Sequence, residues 1–160
     1  MSEPVAMIYP SPGRRWFGTV TLAMLGVLLI YTALAYPASA LVWTLVLMLS
    51  GGIAIWGAIS AFAATGRGIA LTPEGLFDTE GQELARLEDM VSVVSGPLSF
   101  KPSNGFTVRL RRRHKAGWAP GLWWRLGKLL GVGGMTTGVE AKYMAELISQ
   151  MIAARDAGQD

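Results

Sequence analysis

The chain has no cysteine, a single histidine and few charged residues. Asp, Glu, Lys and Arg make up 16% of its 160 residues, whereas apolar residues make up 51%. Without cysteine there can be no disulfide-stabilised domain, no Cys/His zinc site and no thiol nucleophile. The high apolar share excludes disordered and collagen-like chains and favours a membrane protein.

Charge is missing altogether from one long stretch of the chain. No acidic or basic residue occurs at the 51 positions between Arg15 and Arg67. The stretch is too long for one helix, and the proline in Tyr36-Pro37-Ala38-Ser39-Ala40 divides it. We therefore predict an antiparallel hairpin of two transmembrane helices, residues 16–36 and 41–64. Their lengths are roughly 32 and 36 Å, against a hydrocarbon core of about 30 Å.

The flanks of the two spans predict their orientation. Arg14 and Arg15 precede the first span and Arg67 follows the second, whereas the connection carries no charge. Cytoplasmic flanks are enriched in Lys and Arg, so we expect a multi-pass protein of the bacterial inner membrane with both termini in the cytoplasm. Residues 38–40 imitate a signal-peptidase site, but the apolar run before them is longer than that of a signal peptide.

Small side chains recur along the second span. Ser50, Ala54 and Ala58 are spaced four residues apart and form a candidate helix-packing face, because small residues let a neighbouring backbone approach closely. The neighbour is either the first span or another chain in the membrane. Neither span contains an ionisable acid or base, which argues against a proton relay or an ion pump.

The residues outside the spans predict one small soluble domain. Residues 67–160 are enough for one domain with its own core, while residues 1–15 are expected to be a short cytoplasmic segment outside it. Charge is sorted along this domain. Residues 68–89 carry six acids and one base, and residues 90–139 carry eight bases and no acid. The net charge of +3 for the whole chain hides this asymmetry.

Short apolar runs broken by turn residues predict an antiparallel β region followed by a helix. Predicted strands cover residues 68–72, 76–78, 83–87, 91–94, 98–101, 106–111 and 132–136. The clearest hairpin signal is Asn104-Gly105. An apolar pair every four residues predicts an amphipathic helix from about Gly138, with Thr137 and Glu140 as a capping box.

With its two-span anchor, the chain resembles the bacterial membrane-anchored PH-like domain proteins over about residues 67–155. The resemblance is carried by Gly68-Ile69-Ala70-Leu71-Thr72-Pro73-Glu74-Gly75-Leu76-Phe77, by residues 84–91 and by the closing helix. It implies an α+β domain, a PH-like antiparallel sheet or split barrel capped by a C-terminal amphipathic helix. It also implies scaffolding or membrane-complex assembly rather than catalysis. Residues 117–131 depart from the pattern and look like an insertion before the final strand.

One segment combines a cationic cluster with tryptophans. Its candidate lipid- or partner-binding residues are Arg111, Arg112, Arg113, Lys115, Trp118, Trp123, Trp124, Arg125 and Lys128. Bases near an anionic leaflet gain about 1 kcal/mol each, and tryptophan favours the interface, so the segment is compatible with a position on the membrane. It is equally compatible with a solvated basic strand end followed by tryptophans in the domain core.

The function that these patterns favour is that of a non-catalytic scaffold or interaction module at the membrane surface. Expected partners are another protein, a second copy of the chain and anionic lipid headgroups. Nucleic acid is disfavoured because no nucleic-acid-binding module is visible. We expect no cofactor and no metal. The alternative is a small membrane enzyme acting on a phospholipid headgroup, with the basic segment holding phosphate and His114 as acid or base.

Overall fold

A computed structural model describes residues 3–37, 41–94, 102 and 104–158. The chain divides into two units, a pair of long helices over residues 12–63 and a domain formed by the residues before and after them. The predicted order of two long apolar helices, antiparallel sheets and a C-terminal helix is confirmed. Two predicted features fall on residues that are not described, namely part of the connection between the helices (residues 38–40) and the strand at residues 98–101.

The helices α1 (Pro12–Ala35) and α2 (Leu41–Ala64) are each long and apolar enough to cross a membrane. Helix α1 begins at residue 12 rather than at the predicted residue 16. Helix α2 has the predicted bounds. Most of the large apolar side chains on both helices are exposed, as in Phe17 and Leu49, which are 76% and 67% exposed.

The two helices are in close contact at Gly26 and Gly51. A Cβ atom on either glycine would lie 2.8 Å from the carbonyl oxygen of the other, so only glycine permits this approach. Gly51 and Ala58 are both buried and lie seven residues apart, on one side of α2. Ala54 is half-buried, whereas Ser50 is exposed and lies outside the contact between the two helices, so its place in the predicted packing face stays a prediction. Ser50 is rotated about 100° from Gly51, which takes it off the contact.

Arg15 closes one end of this helix pair. Its Nη2 atom donates to the carbonyl oxygen of Phe62 at 3.0 Å, and its guanidinium lies 4.0 Å from the centre of the Phe62 ring. Trp16 contacts the same ring edge-on, with 5.3 Å between ring centres. The carbonyls in the last turn of a helix have no partner within the helix, so a cation there is stabilising.

In the residues that the structure describes, the domain contains two antiparallel sheets and one α-helix. The first sheet contains, in spatial order, β1 (Ala6–Ile8), β2 (Ile69–Thr72), β3 (Gly75–Asp78) and β4 (Glu83–Arg86). The second sheet contains β5 (Met90–Val94), β6 (Phe106–Ala119) and β7 (Trp123–Val132). One turn of 3₁₀-helix, Leu87–Asp89, joins β4 to β5.

The first strand comes from the N-terminal segment that was predicted to lie outside the domain. Met7 is paired with Ala70 of β2, and Ile8 is fully buried in the core. The assignment of residues 1–15 to a separate segment is therefore wrong. The sequence does not reveal this strand, because three residues are too few for a periodic signal. Along the chain, both long helices lie between the first and second strands of the domain.

The helix α3 (Gly138–Ala157) begins where the sequence predicts. It packs against β1, β5 and β6 through its buried side chains, which are Ala141, Met144, Ala145, Ile148 and Ile152. The predicted capping box is wrong. Thr137 occupies the N-cap position with an extended backbone, but its hydroxyl has no hydrogen-bond partner. The spacing of a capping box permits the bond without fixing the side-chain rotamer that makes it.

The predicted insertion at residues 117–131 is also wrong, because these residues complete β6 and form most of β7. Ala119 pairs with Trp123 near the turn, and Phe106 pairs with Val132 at the other end. Glycine is typical of loops, but Gly131 lies in β7 directly under the Trp124 ring. A Cβ atom at this position would clash with that ring. The strand predicted at residues 132–136 is reduced to the end of β7 and one isolated bridge between Thr136 and Pro10.

Candidate functional site

All nine residues of the predicted site lie on the hairpin formed by β6 and β7. Strand β5 pairs with β6 only over residues 107–110. The rest of the hairpin therefore extends beyond the end of β5 as a two-stranded ribbon. We define residues 111–128 as the distal hairpin. It contains the ends of both long strands and the turn between them.

A bulge in β6 places the arginines of the cationic cluster. Arg109 lies opposite Leu129 and His114 opposite Gly127, so residues 110–113 of β6 face a single residue of β7. Gly127 has a φ of +59°, which belongs to the left-handed region and supports the irregular pairing. The three consecutive arginines no longer alternate strictly between the faces of a regular strand, and all of them are exposed.

Asp89 anchors this bulge to the rest of the domain. Its side chain is only 8% exposed, and its Oδ1 atom accepts a hydrogen bond from Nε of Arg112 at 2.9 Å. Nε2 of His114 lies 3.5 Å from the other carboxylate oxygen. Charge-assisted contacts to a buried carboxylate are among the stronger polar interactions. Arg112 therefore serves the structure of the hairpin.

Arg125 has a structural role as well. Its Nη1 atom donates to the carbonyl oxygens of Leu84 at 2.7 Å and Glu83 at 3.5 Å, and its Nε atom donates to that of Lys115 at 3.0 Å. The first two acceptors belong to β4, the edge strand of the first sheet. The guanidinium thus donates hydrogen bonds to carbonyl groups on the edge strand β4 and connects this strand to the hairpin.

The three tryptophans occupy three different environments. Trp123 is 4% exposed and belongs to the domain core. Trp124 is half-buried over Gly131 and lies opposite Trp118, which is 62% exposed. Trp123 therefore fits the core interpretation left open by the sequence, whereas Trp118 does not belong to the core. Leu126, which the sequence did not single out, is 67% exposed.

Four basic side chains of the distal hairpin have no ion-pair partner in the described part of the chain. We term Arg111, Arg113, Lys115 and Lys128 the spare cations, and all four are exposed. In the part of the chain that the structure describes, no acidic side chain forms an ion pair with any of them. No acidic side chain among the described residues therefore neutralises their charge.

A groove of about 600 Å³ lies elsewhere on the domain, and the basic groups that line it are already engaged. Nε of Arg86 donates to the carboxylate of Glu83 at 3.0 Å, and this hydrogen bond raises the pKa of Arg86 above its ordinary value. Nη1 of Arg155 donates to the carbonyl oxygens of Leu87 and Met90. Across residues 3–37, 41–94, 102 and 104–158, no three His, Asp or Glu side chains are grouped as a metal site requires.

The distal hairpin is therefore the candidate site, and its residues divide into two classes. Arg112, Arg125 and Trp123 hold it in place, whereas Trp118, Leu126 and the spare cations are directed at the surroundings. Comparison with known proteins finds no matching family model, no matching curated protein and no matching solved structure. What the chain does must be inferred from its own residues.

Proposed function

We propose that this chain is a non-catalytic module held in the bacterial inner membrane by α1 and α2, with both termini in the cytoplasm. Its domain acts as a scaffold or assembly module at the membrane surface. The length and apolar composition of the two helices support the anchor, as does the exposure of their large side chains. The arginines at residues 14, 15 and 67 support the orientation.

The arrangement of the domain supports a PH-like fold as part of this proposal. Four antiparallel strands form one sheet and the next three form another, each in chain order, and a helix follows them. The helix buries one face against strands of both sheets. This arrangement supports the capped antiparallel fold that the family resemblance implies. Folds of this kind host many functions, so the function has to be argued from the site.

The single observation that carries the proposal is the insertion of both helices between β1 and β2. Three residues separate β1 from α1, and four separate α2 from β2. A domain joined to a membrane anchor through two connections this short has little reach into the cytoplasm. Such a domain acts where it is tethered, which suits a scaffold better than an enzyme with a diffusing substrate.

The proposal is tested by extracting the full chain from membranes in mild detergent and analysing the intact particles by native mass spectrometry. We expect a second polypeptide, or a second copy of the chain, in stoichiometric amount. Trp123→Ala, which removes a core ring, should lose this partner, whereas Val139→Ala, at a position 82% exposed on α3, should keep it. A chain that always extracts as a monomer with lipid alone would contradict a scaffold role.

The enzyme alternative has one observation in its favour, the position of His114 beside Asp89. A carboxylate next to an imidazole can orient it for proton transfer. Reconstitution of the pure chain in vesicles of phosphatidylglycerol and phosphatidylethanolamine, followed by lipid mass spectrometry, separates the two functions. We expect no headgroup turnover. Turnover that disappears in His114→Gln would replace the scaffold by the enzyme.

A further inference from the structure

We infer that the distal hairpin docks on the anionic surface of the leaflet beside which the domain is tethered. Trp118 and Leu126 enter the headgroup layer, and the spare cations lie against lipid phosphates. This inference rests on the proposed function, since it requires α1 and α2 to be in the membrane. It commits to the lipid surface as the ligand of the distal hairpin.

The position of the hairpin turn within the domain is the first argument. The N–H of Ser11 donates to the carbonyl oxygen of Met135 at 2.8 Å, and the N–H of Met135 donates to that of Gly121 at 2.9 Å. A Cβ atom on Gly121 would lie 3.1 Å from Cγ2 of Thr65. Ser11 directly precedes α1 and Thr65 directly follows α2. The turn between β6 and β7 is thus on the side of the domain from which both connections leave.

The exposed apolar groups near this turn are the second argument. Trp118 and Trp124 are paired across the strands, and side chains two residues apart on a strand share a face, so Leu126 extends the same face. Tyr9, which is 53% exposed, belongs to one connection and packs on Gly68 of the other, with its ring 2.7 Å from where a Cβ atom on Gly68 would be. Aromatic rings with a polar edge favour the boundary between headgroups and hydrocarbon.

Charge is the third argument, and it selects the lipid. The spare cations follow Trp118 and Leu126 along the hairpin, on the strands that lead away from the turn. Basic groups close to an anionic leaflet are stabilised by its negative surface potential, and salt weakens this electrostatic attraction. An acidic protein would satisfy the charge, but it would not account for exposed apolar groups on the side where the chain leaves for its anchor.

A dye attached to the distal hairpin tests the inference. The natural chain has no cysteine, so Ala116→Cys and Val139→Cys each give a single labelling site on the full chain, at exposed positions of β6 and α3. The labelled chain is reconstituted in phosphatidylcholine bilayers with and without phosphatidylglycerol. We expect the dye at residue 116 to shift to the blue and to be quenched by lipid-borne quenchers only with phosphatidylglycerol. The dye at residue 139 should stay in water.

Two double variants distinguish the site from net charge. Arg111→Gln with Arg113→Gln removes two spare cations, whereas Arg86→Gln with Lys142→Gln removes two exposed cations elsewhere on the domain. The first pair should lower the ratio of docked to undocked hairpin about thirtyfold, and the second should leave it within about twofold. High salt should reproduce the effect of the first pair.

The inference is overturned if the dye at residue 116 stays in water in both bilayers, or if phosphatidylglycerol makes no difference. It is also overturned if the spare cations are needed for a co-purifying protein and not for lipid contact. In these cases the chain still inserts and the proposed function survives. A chain that alkaline carbonate removes from the reconstituted bilayers would instead refute the anchor, and the proposed function with it.

Discussion

Residues 68–89 and the distal hairpin carry charge of opposite sign and use it in different ways. In the first region the carboxylates are engaged within the domain. Asp78 accepts two backbone hydrogen bonds at 2.9 Å, Glu80 pairs with Arg67 at 2.9 Å, and Asp89 accepts from Arg112. In the distal hairpin the spare cations have no such partners among the residues that the structure describes. The acidic charge is used within the fold, whereas most of the basic charge of the distal hairpin has no ion-pair partner among the described residues.

The two regions also differ in what burial does to their charged groups. Asp78 and Asp89 are 1% and 6% exposed, so each must be satisfied by neighbours. The spare cations are exposed and remain hydrated. Substitutions in the acidic region should therefore change stability, and substitutions of the spare cations should change binding alone.

The largest effect is expected within the hairpin itself, at Trp123. Trp123→Ala removes a ring that is 4% exposed and leaves a cavity, which should lower the free energy of unfolding by about 3–5 kcal/mol. Trp118→Ala, at a ring that is 62% exposed, should change it by less than about 0.5 kcal/mol. Denaturant unfolding of the full chain in detergent measures both. Equal losses would mean that the two rings are not divided between core and surface.

A smaller effect is expected for Asp78→Ala. The carboxylate holds the turn between β3 and β4 through its bonds to the N–H groups of Glu80 and Gln82, so its loss should lower the free energy of unfolding by about 2–3 kcal/mol. Glu80→Ala is the control. It removes an exposed partner of Arg67 and should cost less than about 1 kcal/mol. The comparison between regions fails if Asp78→Ala is as mild as its control.

Asp89→Ala should affect stability and binding in opposite directions. It removes the partner of Arg112 and should lower the free energy of unfolding by about 1–3 kcal/mol. It also adds an unpaired cation to the hairpin, so the lipid contact of a dye at residue 116 should persist to higher salt. Asp89→Asn, which keeps an acceptor, should have the smaller effect on stability. Unchanged stability would show that Asp89 does not anchor the bulge.

The smallest effect on stability is expected for the spare cations. Arg111→Gln with Arg113→Gln should change the free energy of unfolding by less than about 0.5 kcal/mol for each residue. Arg112→Gln should cost more, because Asp89 loses its hydrogen bond. Thermal melts of the unsubstituted chain, the double variant and Arg112→Gln, recorded side by side, give the order of their stabilities. If Arg111 and Arg113 matter as much as Arg112, they are not spare.

The sequence predicts the helices and the position of α3 well, because the absence of charge and the four-residue repeat are strong signals over many residues. It misses β1, which is three residues long and paired with a strand that lies more than sixty positions further on. It misreads β7 because glycines normally mark loops. Gly127 and Gly131 are present for a bulge and for a ring that covers the backbone, and both depend on the pairing with β6.

The candidate site is found from the sequence as a segment, but its division into two classes is not. Local charge and tryptophan content identify residues 111–128 without any fold. That Arg112 meets Asp89, and that Arg125 reaches the carbonyls of β4, follows only from the register and from contacts over more than twenty residues. The unpaired state of the remaining cations is likewise a property of the fold.

The measurement that most directly tests the central claim, a domain tethered in the cytoplasm by an inserted pair of transmembrane helices, is labelling of single cysteines in intact spheroplasts. Ser39→Cys introduces a cysteine in the chain segment that connects α1 and α2, and Val139→Cys introduces one in α3. A membrane-impermeant maleimide should label residue 39 at once and residue 139 only after lysis. Labelling of residue 139 in intact spheroplasts, or protection of residue 39, would contradict the account.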